Sequence, residues 1–155
     1  MNFEHLVVVN DPANPLITTL TREEVWFGLL CRVEDSRPFL PGLQACRVLE
    51  RSDTELLREL DFGSVVIRDR VTLQPMEWVR FESERTAEHP GGVLTIGIEE
   101  PAPETMVLRF CYATTLTDRS AEDARYAEFV KSAYHQSDID TLRVIRMIAE
   151  SGRLQ

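Results

Sequence analysis

Arg58 and Asp69 are the charged residues whose spacing points most directly to chemistry. The intervening Gly63-Ser64 dipeptide suits a short type II′ turn, which would pair Phe62 with Val65. Continuing outward from that turn places Arg58 directly opposite Asp69 on one face of a β-hairpin. An arginine fork binds a carboxylate or a phenolate well, and a neighbouring aspartate can transfer protons.

The neighbours of this pair on the same strand face are apolar: Leu56, Leu60, Ile67 and Val71. A charge on such a face is costly unless it is paired. Two interpretations therefore remain open. The pair is either a salt bridge that fixes the strand register or reaches solvent at a cavity rim, or it is a polar anchor for a ligand inside a cavity.

A second polar group is predicted on a long C-terminal helix. One stripe of this helix follows three- and four-residue steps through Ala127, Val130, Tyr134, Asp138, Thr141, Ile145 and Ile148. Its ends are apolar and its centre is polar, which water or a ligand beside the centre would explain. The alternative is that this stripe turns toward solvent and that a neighbouring stripe packs instead, namely Phe129, Ala133, Val144 and Met147.

The sequence offers little else that could carry catalysis. Its 3 histidines have no partner at a spacing typical of zinc ligands, so we expect no metal. There is no phosphate-binding loop, no dinucleotide fingerprint and no Gly-x-Ser-x-Gly turn, so we expect no cofactor. The 3 cysteines are widely spaced, as is typical of reduced thiols in a cytoplasmic protein.

The composition and net charge of the chain limit the classes of partner that we expect it to bind. The 155 residues are 43% hydrophobic and 28% charged, as in an ordinary soluble protein, and predict one domain over residues 1–155. The formal net charge of −9 repels phosphate backbones and anionic membranes, which argues against nucleic acid as a partner. The longest apolar runs are too short for membrane insertion, and the N-terminus lacks the basic region of a signal peptide. We therefore expect a cytoplasmic protein.

The predicted elements are a strand, a helix, about six strands and a long helix. The first strand covers Phe3 to Asn10, and the capping box in Thr21–Glu24 starts a helix at Arg22. The last helix runs from Ser120 to Gly152, with Gly152 as a left-handed stop. Short connections favour antiparallel pairing of the six middle strands. These cover Leu43–Arg51, Thr54–Phe62, Val65–Leu73, Glu77–Glu84, Val93–Glu99 and Thr105–Leu116.

This order of elements resembles the helix-grip fold of the SRPBCC superfamily, which includes START-type lipid-binding domains and the birch-pollen allergen group. Four segments look like the AtaL-like branch, named after a protein of a fungal acetylaranotin cluster: Phe39-Leu40-Pro41-Gly42-Leu43, Arg58-Glu59-Leu60-Asp61-Phe62-Gly63, Arg68-Asp69-Arg70-Val71-Thr72-Leu73 and Tyr134-His135-Gln136-Ser137-Asp138-Ile139-Asp140. The resemblance implies an elongated cavity between the sheet and the last helix. Members of the superfamily bind lipids, sterols, flavonoids or polyketides, and some cyclise polyketides. The branch supplies no established catalytic residues.

We therefore expect an α+β helix-grip domain, with an antiparallel sheet of about seven strands wrapped around the last helix, that binds a hydrophobic or aromatic small molecule. The ligand-binding residues are expected to be Arg58, Asp69, Tyr134, Asp138, Thr141, Leu60, Ile67, Phe81 and Phe110. Further apolar wall is expected from Leu56, Phe62, Val71, Ile96 and Leu108.

Two other classes of function remain open. A cyclase- or aromatase-like enzyme would use Arg58 to polarise a carbonyl, and Asp69 or Asp138 to transfer protons. A dimeric interaction module would bind no ligand, and its cavity would be only a packing defect. The sequence leaves a homodimer open in either case.

Overall fold

The computed structural model of the protein describes residues 1–87 and 89–154. These residues form a sheet of seven strands and two α-helices. In chain order the elements are β1 (Asn2–Asn10), α1 (Arg22–Glu34), β2 (Ala45–Arg51), β3 (Glu55–Asp61), β4 (Val66–Gln74), β5 (Trp78–Ser83), β6 (Gly92–Ala102), β7 (Thr105–Ala113) and α2 (Ala121–Arg153).

The strands form one antiparallel sheet in the order β1-β7-β6-β5-β4-β3-β2. Side chains along each strand alternate between the two faces. The inward face of the central strands carries fully buried apolar residues, including Val71, Val79, Ile96, Leu108 and Phe110. The predicted α+β arrangement, with the sheet laid against a long final helix, is confirmed.

The β3–β4 hairpin has the register that the sequence predicts. Gly63 takes the positive φ of +86° that this turn requires, and the Phe62 amide donates to the Val65 carbonyl at 2.9 Å. Arg58 is consequently paired with Asp69 across the two strands. Both side chains point to the inward face and are buried.

Helix α1 begins where its capping box predicts. The Thr21 hydroxyl accepts from the Glu24 amide, and the Glu24 carboxylate accepts from the Thr21 amide. The inward face of the helix buries Val25, Leu29 and Val33 against the sheet. It also buries Arg32 in the last helical turn, which matters for the site described below.

Helix α2 starts at the predicted cap, because the Ser120 hydroxyl accepts from the Asp123 amide. Its predicted end was wrong. Gly152 lies inside the helix and the C-cap is Leu154, whose φ of −83° is right-handed. A helical glycine needs no left-handed conformation, so Gly152 is not the stop.

Neither helix is both long enough and apolar enough to cross a membrane, as judged from the described residues.

The two halves of α2 pack differently. In the C-terminal half, Ile145 lies so close to α1 that a Cβ atom added at Gly28 would be 2.7 Å from its side chain. Leu142 and Ala149 are also buried there, whereas before Asp138 only Ala127 is buried. The N-terminal half therefore stands away from the sheet and leaves space beneath it.

The burial of α2 also decides which of its stripes faces the sheet. Asp138, Thr141 and Ile145 are buried, whereas Phe129 is 70% exposed and Met147 is 58% exposed. The stripe with the polar centre faces inward. Most of the alternative stripe lies on the solvent side, although its residue Val144 packs against the core.

Candidate functional site

A cavity of about 420 Å³ lies between the sheet, the end of α1 and the N-terminal half of α2. Its apolar and aromatic walls include Leu40, Leu60, Phe62, Ile67, Phe81, Leu94, Leu116, Tyr112, Tyr126, Val130 and Tyr134. Its polar and charged lining includes Arg32, Ser36, Arg58, Asp69, Ser83, His89 and Ser137. The volume and the mostly apolar wall with few polar groups are typical of small-molecule sites.

Arg58 and Asp69 form a bidentate ion pair on the cavity wall. Arg58 Nε donates to one carboxylate oxygen at 2.8 Å and Nη2 donates to the other at 2.6 Å, with side chains 1% and 3% exposed. The remaining Nη1 group donates to the Val33 carbonyl at 2.9 Å and to the Ser36 hydroxyl at 2.8 Å. Arg58 therefore also caps the free carbonyls at the C-terminus of α1, where a positive charge is favourable.

Arg32 is a second buried guanidinium, and its situation differs from that of Arg58. Its Nη1 donates to the Thr141 hydroxyl at 2.7 Å, and that hydroxyl in turn donates a hydrogen bond to the Ser137 carbonyl at 3.0 Å. Its Nε is buried and has no hydrogen-bond partner among the described residues. Burial lowers the pKa of the Arg32 guanidinium from its usual value, but an arginine stays protonated at neutral pH.

Asp138 is the centre of a polar cluster that joins α2 to the β1–β7 side of the sheet. One carboxylate oxygen accepts a very short hydrogen bond from the Tyr112 hydroxyl, and the other lies 2.9 Å from His5 Nδ1. Burial raises the pKa of Asp138 above its usual value, although the hydrogen bonds from Tyr112 and His5 oppose that shift. Burial and the Asp138 charge likewise raise the pKa of Tyr112. Tyr112 therefore keeps its proton, and Asp138 acts as the acceptor.

Three aromatic rings stack beside the cavity, and two of them, Tyr112 and Tyr134, line it. Tyr112 and Tyr134 are nearly parallel with ring centroids 4.7 Å apart, and Phe3 stacks on Tyr112 at 4.9 Å. Tyr134 is 38% exposed, so part of its ring remains free to contact a ligand. Burial raises the pKa of Tyr134, which keeps its hydroxyl a neutral donor.

The structure divides the residues predicted for the site into two groups. Those on the cavity wall are Arg58, Asp69, Tyr134, Leu60, Ile67 and Phe81, and the predicted wall residue Phe62 joins them. Phe110 lies instead in the solid core with Leu56, Val71, Ile96 and Leu108. Asp138 and Thr141 are buried one layer behind the wall, where they hold Tyr112 and Arg32. They reach the cavity only through those two side chains.

The lining residues and supporting contacts that sequence reasoning missed include Arg32, Tyr112 and His5. Signals for two of them are present in retrospect. Arg32 lies three residues after Leu29 on the inward face of α1, and Tyr112 continues the buried alternation of β7. Arg58 was singled out because it is a polar residue on an otherwise apolar face, and the same criterion applies to Arg32 and Tyr112. No comparable signal marks His5.

Within residues 1–87 and 89–154, no group of three or more histidine, cysteine or acidic side chains is placed to hold a metal ion.

A more open depression of about 570 Å³ lies around the β6–β7 turn. Two of its charged residues, Arg22 and Glu100, pair with each other at 3.4 Å, and the buried Asn10 side chain is satisfied by the backbone of Leu20. These polar groups are therefore already hydrogen-bonded or ion-paired. The cavity under α2 is the better candidate site because its walls are more apolar and Arg32 is incompletely paired.

The fold matches solved structures at low sequence identity. The Zhui aromatase/cyclase from Streptomyces sp. R1128 aligns with a TM-score of 0.67 and 15% identity, over 100% of this chain and 96% of that one. The di-domain aromatase/cyclase StfQ, from the steffimycin biosynthetic pathway, gives 0.71 and 15% over 99% of this chain and 52% of its own. Ara h 8.0201 gives 0.60 and 9% over 97% and 98% of the two chains.

Likeness at such identity shows the fold, which is the helix grip that the sequence predicts. No curated protein sequence matches the chain. A family model does match it over residues 7–152, nearly the whole length, and its description is acetylaranotin biosynthesis cluster protein L. The chain therefore belongs to the AtaL family.

Proposed function

We propose that this protein binds a hydrophobic or aromatic small molecule in the cavity beneath the N-terminal half of α2. The observation that carries the proposal is a partly open cavity of about 420 Å³, lined by aromatic rings and by buried polar groups. Apolar walls provide most of the affinity for such a guest, and a few polar groups fix its orientation. The exposed part of the Tyr134 ring offers a stacking surface for a planar ligand.

The proposal can be tested by filling the cavity from α2. Ser137 lies on the cavity wall and is half-buried, so Ser137→Phe would place a ring in the ligand space. Ser132 is exposed on the same helix, and Ser132→Phe makes the same chemical change outside the cavity. The probe is the neutral fluorophore prodan, displaced by fatty acids, flavonoids and polyketide-like phenols.

We expect wild type and Ser132→Phe to bind prodan with micromolar or weaker affinity, at about −8 kcal/mol or less favourable. Ser137→Phe should bind it at least about tenfold more weakly, because the ring occupies part of the site. Equal binding by all three proteins would contradict the proposal. Native mass spectrometry of freshly purified protein would then show whether any ligand co-purifies. A dimer with no ligand would favour the interaction-module alternative.

A cyclase- or aromatase-like activity is the second candidate. It is favoured by the fold shared with the aromatase/cyclases Zhui and StfQ, and by the position of Tyr112 on the cavity wall. An aldol cyclisation forms a carbon–carbon bond, moves a proton from carbon to the carbonyl oxygen and then releases water. With Asp138 protonated, its carboxyl group can donate to the Tyr112 oxygen, which frees the Tyr112 proton to be donated to such a carbonyl oxygen.

Mass spectrometry of a β-polyketone incubated with the protein distinguishes the two candidates. Recovery of the unchanged compound supports binding alone. Loss of water that requires the protein and is abolished in Tyr112→Phe supports catalysis.

A further inference from the structure

We infer that the ligand carries a carboxylate and that Arg32 is the residue that binds it. This inference rests on the proposed function, since it requires a ligand in the cavity under α2. It is carried by the incomplete pairing of Arg32, which is 6% exposed and lies on the cavity wall.

Arg32 lacks the ion pair that buried arginines usually have. Within the described part of the chain, no carboxylate oxygen lies within 4.0 Å of its guanidinium, and its only side-chain partner is the neutral Thr141. The two buried carboxylates nearby are already engaged. Asp69 accepts both of its hydrogen bonds from Arg58, and Asp138 is held by Tyr112 and His5.

The surroundings compensate the Arg32 charge only in part. Arg32 lies in the last turn of α1, where the helix dipole favours a cation, and its guanidinium is 5.2 Å from the centroid of the Phe81 ring. The Arg58 guanidinium lies at the same distance from that ring, and its positive charge repels that of Arg32. Neither interaction supplies the hydrogen-bond acceptors that a guanidinium with five N–H donors requires.

The charge of the cavity wall favours an anionic guest. Arg58 and Asp69 neutralise each other within their ion pair, so Arg32 is the charged residue without an ion-pair partner among the buried lining residues that the structure describes. A carboxylate matches the planar fork of a guanidinium, and charge-assisted hydrogen bonds of this kind are strong. The apolar walls around Arg32 exclude water and leave its interaction with an anion poorly screened.

The test compares two ligands that differ only in charge, 2-naphthoate and 2-naphthamide, as competitors of prodan at pH 7. Wild type should bind the carboxylate at least about tenfold more tightly than the amide, as charge-assisted hydrogen bonds predict. Arg32→Met, which keeps a side chain of similar length, should lose this preference and still bind prodan. Arg70 is exposed on the outer face of β4, so Arg70→Met removes the same charge elsewhere and should retain the preference.

The possible outcomes separate the two proposals. If wild type binds prodan but treats the naphthoate and the naphthamide alike, the inference about Arg32 is overturned and the proposed function stands. A preference that persists in Arg32→Met also overturns it, because another group must then provide the charge. If prodan and both naphthalenes fail to bind wild type, the proposed function is wrong and this inference falls with it. If Arg32→Met does not fold, Arg32→Lys takes its place and should retain only part of the preference, since an ammonium cannot bind bidentately; an unchanged preference would overturn the inference.

Discussion

The Arg58 guanidinium donates a hydrogen bond to the backbone oxygen of Arg32 at 3.3 Å, and both guanidinium groups lie 5.2 Å from the centroid of the Phe81 ring. Two positively charged groups therefore lie against the same aromatic ring, near the C-terminal end of α1. One of them is fully paired by Asp69 and the other is not. This difference predicts opposite effects of removing the two arginines.

Arg58 and Asp69 should be strongly coupled in stability. Arg58→Met or Asp69→Asn alone should lower the free energy of unfolding by about 3–5 kcal/mol, because each leaves the other charge buried and unpaired. The double variant should lose much less than the sum of the two. A double-mutant cycle from urea unfolding measures the coupling.

An ion pair on the outer face of the neighbouring strands β2 and β3 provides the control for this cycle. Arg47 and Glu59 pair across β2 and β3 at 3.2 Å, with side chains 51% and 23% exposed. Their coupling should be only about 0.2–1 kcal/mol. A value this small for Arg58 and Asp69 would show that the buried pair does not fix the hairpin.

Removing Arg32 should have the opposite effect on stability. Arg32→Met removes an incompletely paired buried charge and strands no other, since Thr141 keeps its hydrogen bond to the Ser137 carbonyl. We expect the variant to be as stable as wild type or about 1–2 kcal/mol more stable, as is often found when buried charges are replaced by apolar groups. A loss comparable to that of Arg58→Met in the same urea experiment would indicate a structural role for Arg32.

Two glycines test the close contact between the helices. Gly28→Ala places a methyl group 2.7 Å from the Ile145 side chain and should destabilise the protein by about 1–3 kcal/mol through overpacking. Gly152→Ala is the same substitution in α2 where no atom lies within 4 Å. It should be neutral or stabilising by up to about 1 kcal/mol, because alanine favours helix. Thermal melts of both variants give the comparison, and equal shifts would contradict the contact.

Asp138 should give the protein a specific dependence of stability on pH. Burial raises its pKa above the usual value of 3.8, so the folded protein holds this proton more tightly than the unfolded chain does. The contribution of Asp138 to the free energy of unfolding is therefore complete below pH 3.8, and it is lost as the pH rises through the pKa of Asp138 in the folded protein. Asp138→Asn cannot titrate at this position. The unfolding free energy of wild type minus that of Asp138→Asn should therefore fall as the pH rises above 3.8, and a difference that is flat or rises with pH would contradict the raised pKa.

The fold could be predicted from the sequence because its strongest signals are local. Gly63-Ser64 fixes the register of β3 and β4, and Thr21 with Glu24 marks the start of α1. The extent of the cavity could not be predicted in the same way. Phe81 and Phe110 both lie on inward strand faces and both belong to the core cluster, but only Phe81 also borders the space that α2 leaves above the sheet.

The cluster around Asp138 was beyond sequence reasoning for a similar reason. His5 and Tyr112 lie on the first and last strands, and only the pairing of β1 with β7 brings them to one carboxylate. The stripe on α2 predicted water or a ligand beside Asp138, whereas its hydrogen-bond partners are the side chains of His5 and Tyr112. Which strands supply those partners depends on strand order, and no local pattern encodes strand order.

Tyr134→Phe should change the choice of ligand more than it changes stability. The substitution removes a hydroxyl at the cavity mouth and keeps the ring that stacks on Tyr112. We expect the free energy of unfolding to change by no more than about 0.5 kcal/mol, as for most partly exposed positions. Affinity for phenols and flavonoids should fall several-fold relative to that for purely apolar ligands, because a neutral hydroxyl donor is lost.

Tyr134→Ala provides the contrast, since it removes the ring as well and should weaken binding of every aromatic ligand. The measurement is displacement of prodan by the same panel of ligands on wild type and both variants. If Tyr134→Phe leaves the order of affinities unchanged while Tyr134→Ala lowers all of them, the ring alone contacts the ligand. If neither variant alters binding, the ligand does not reach Tyr134, and the aromatic wall around Phe3 and Tyr112 serves only to attach α2 to the edge of the sheet.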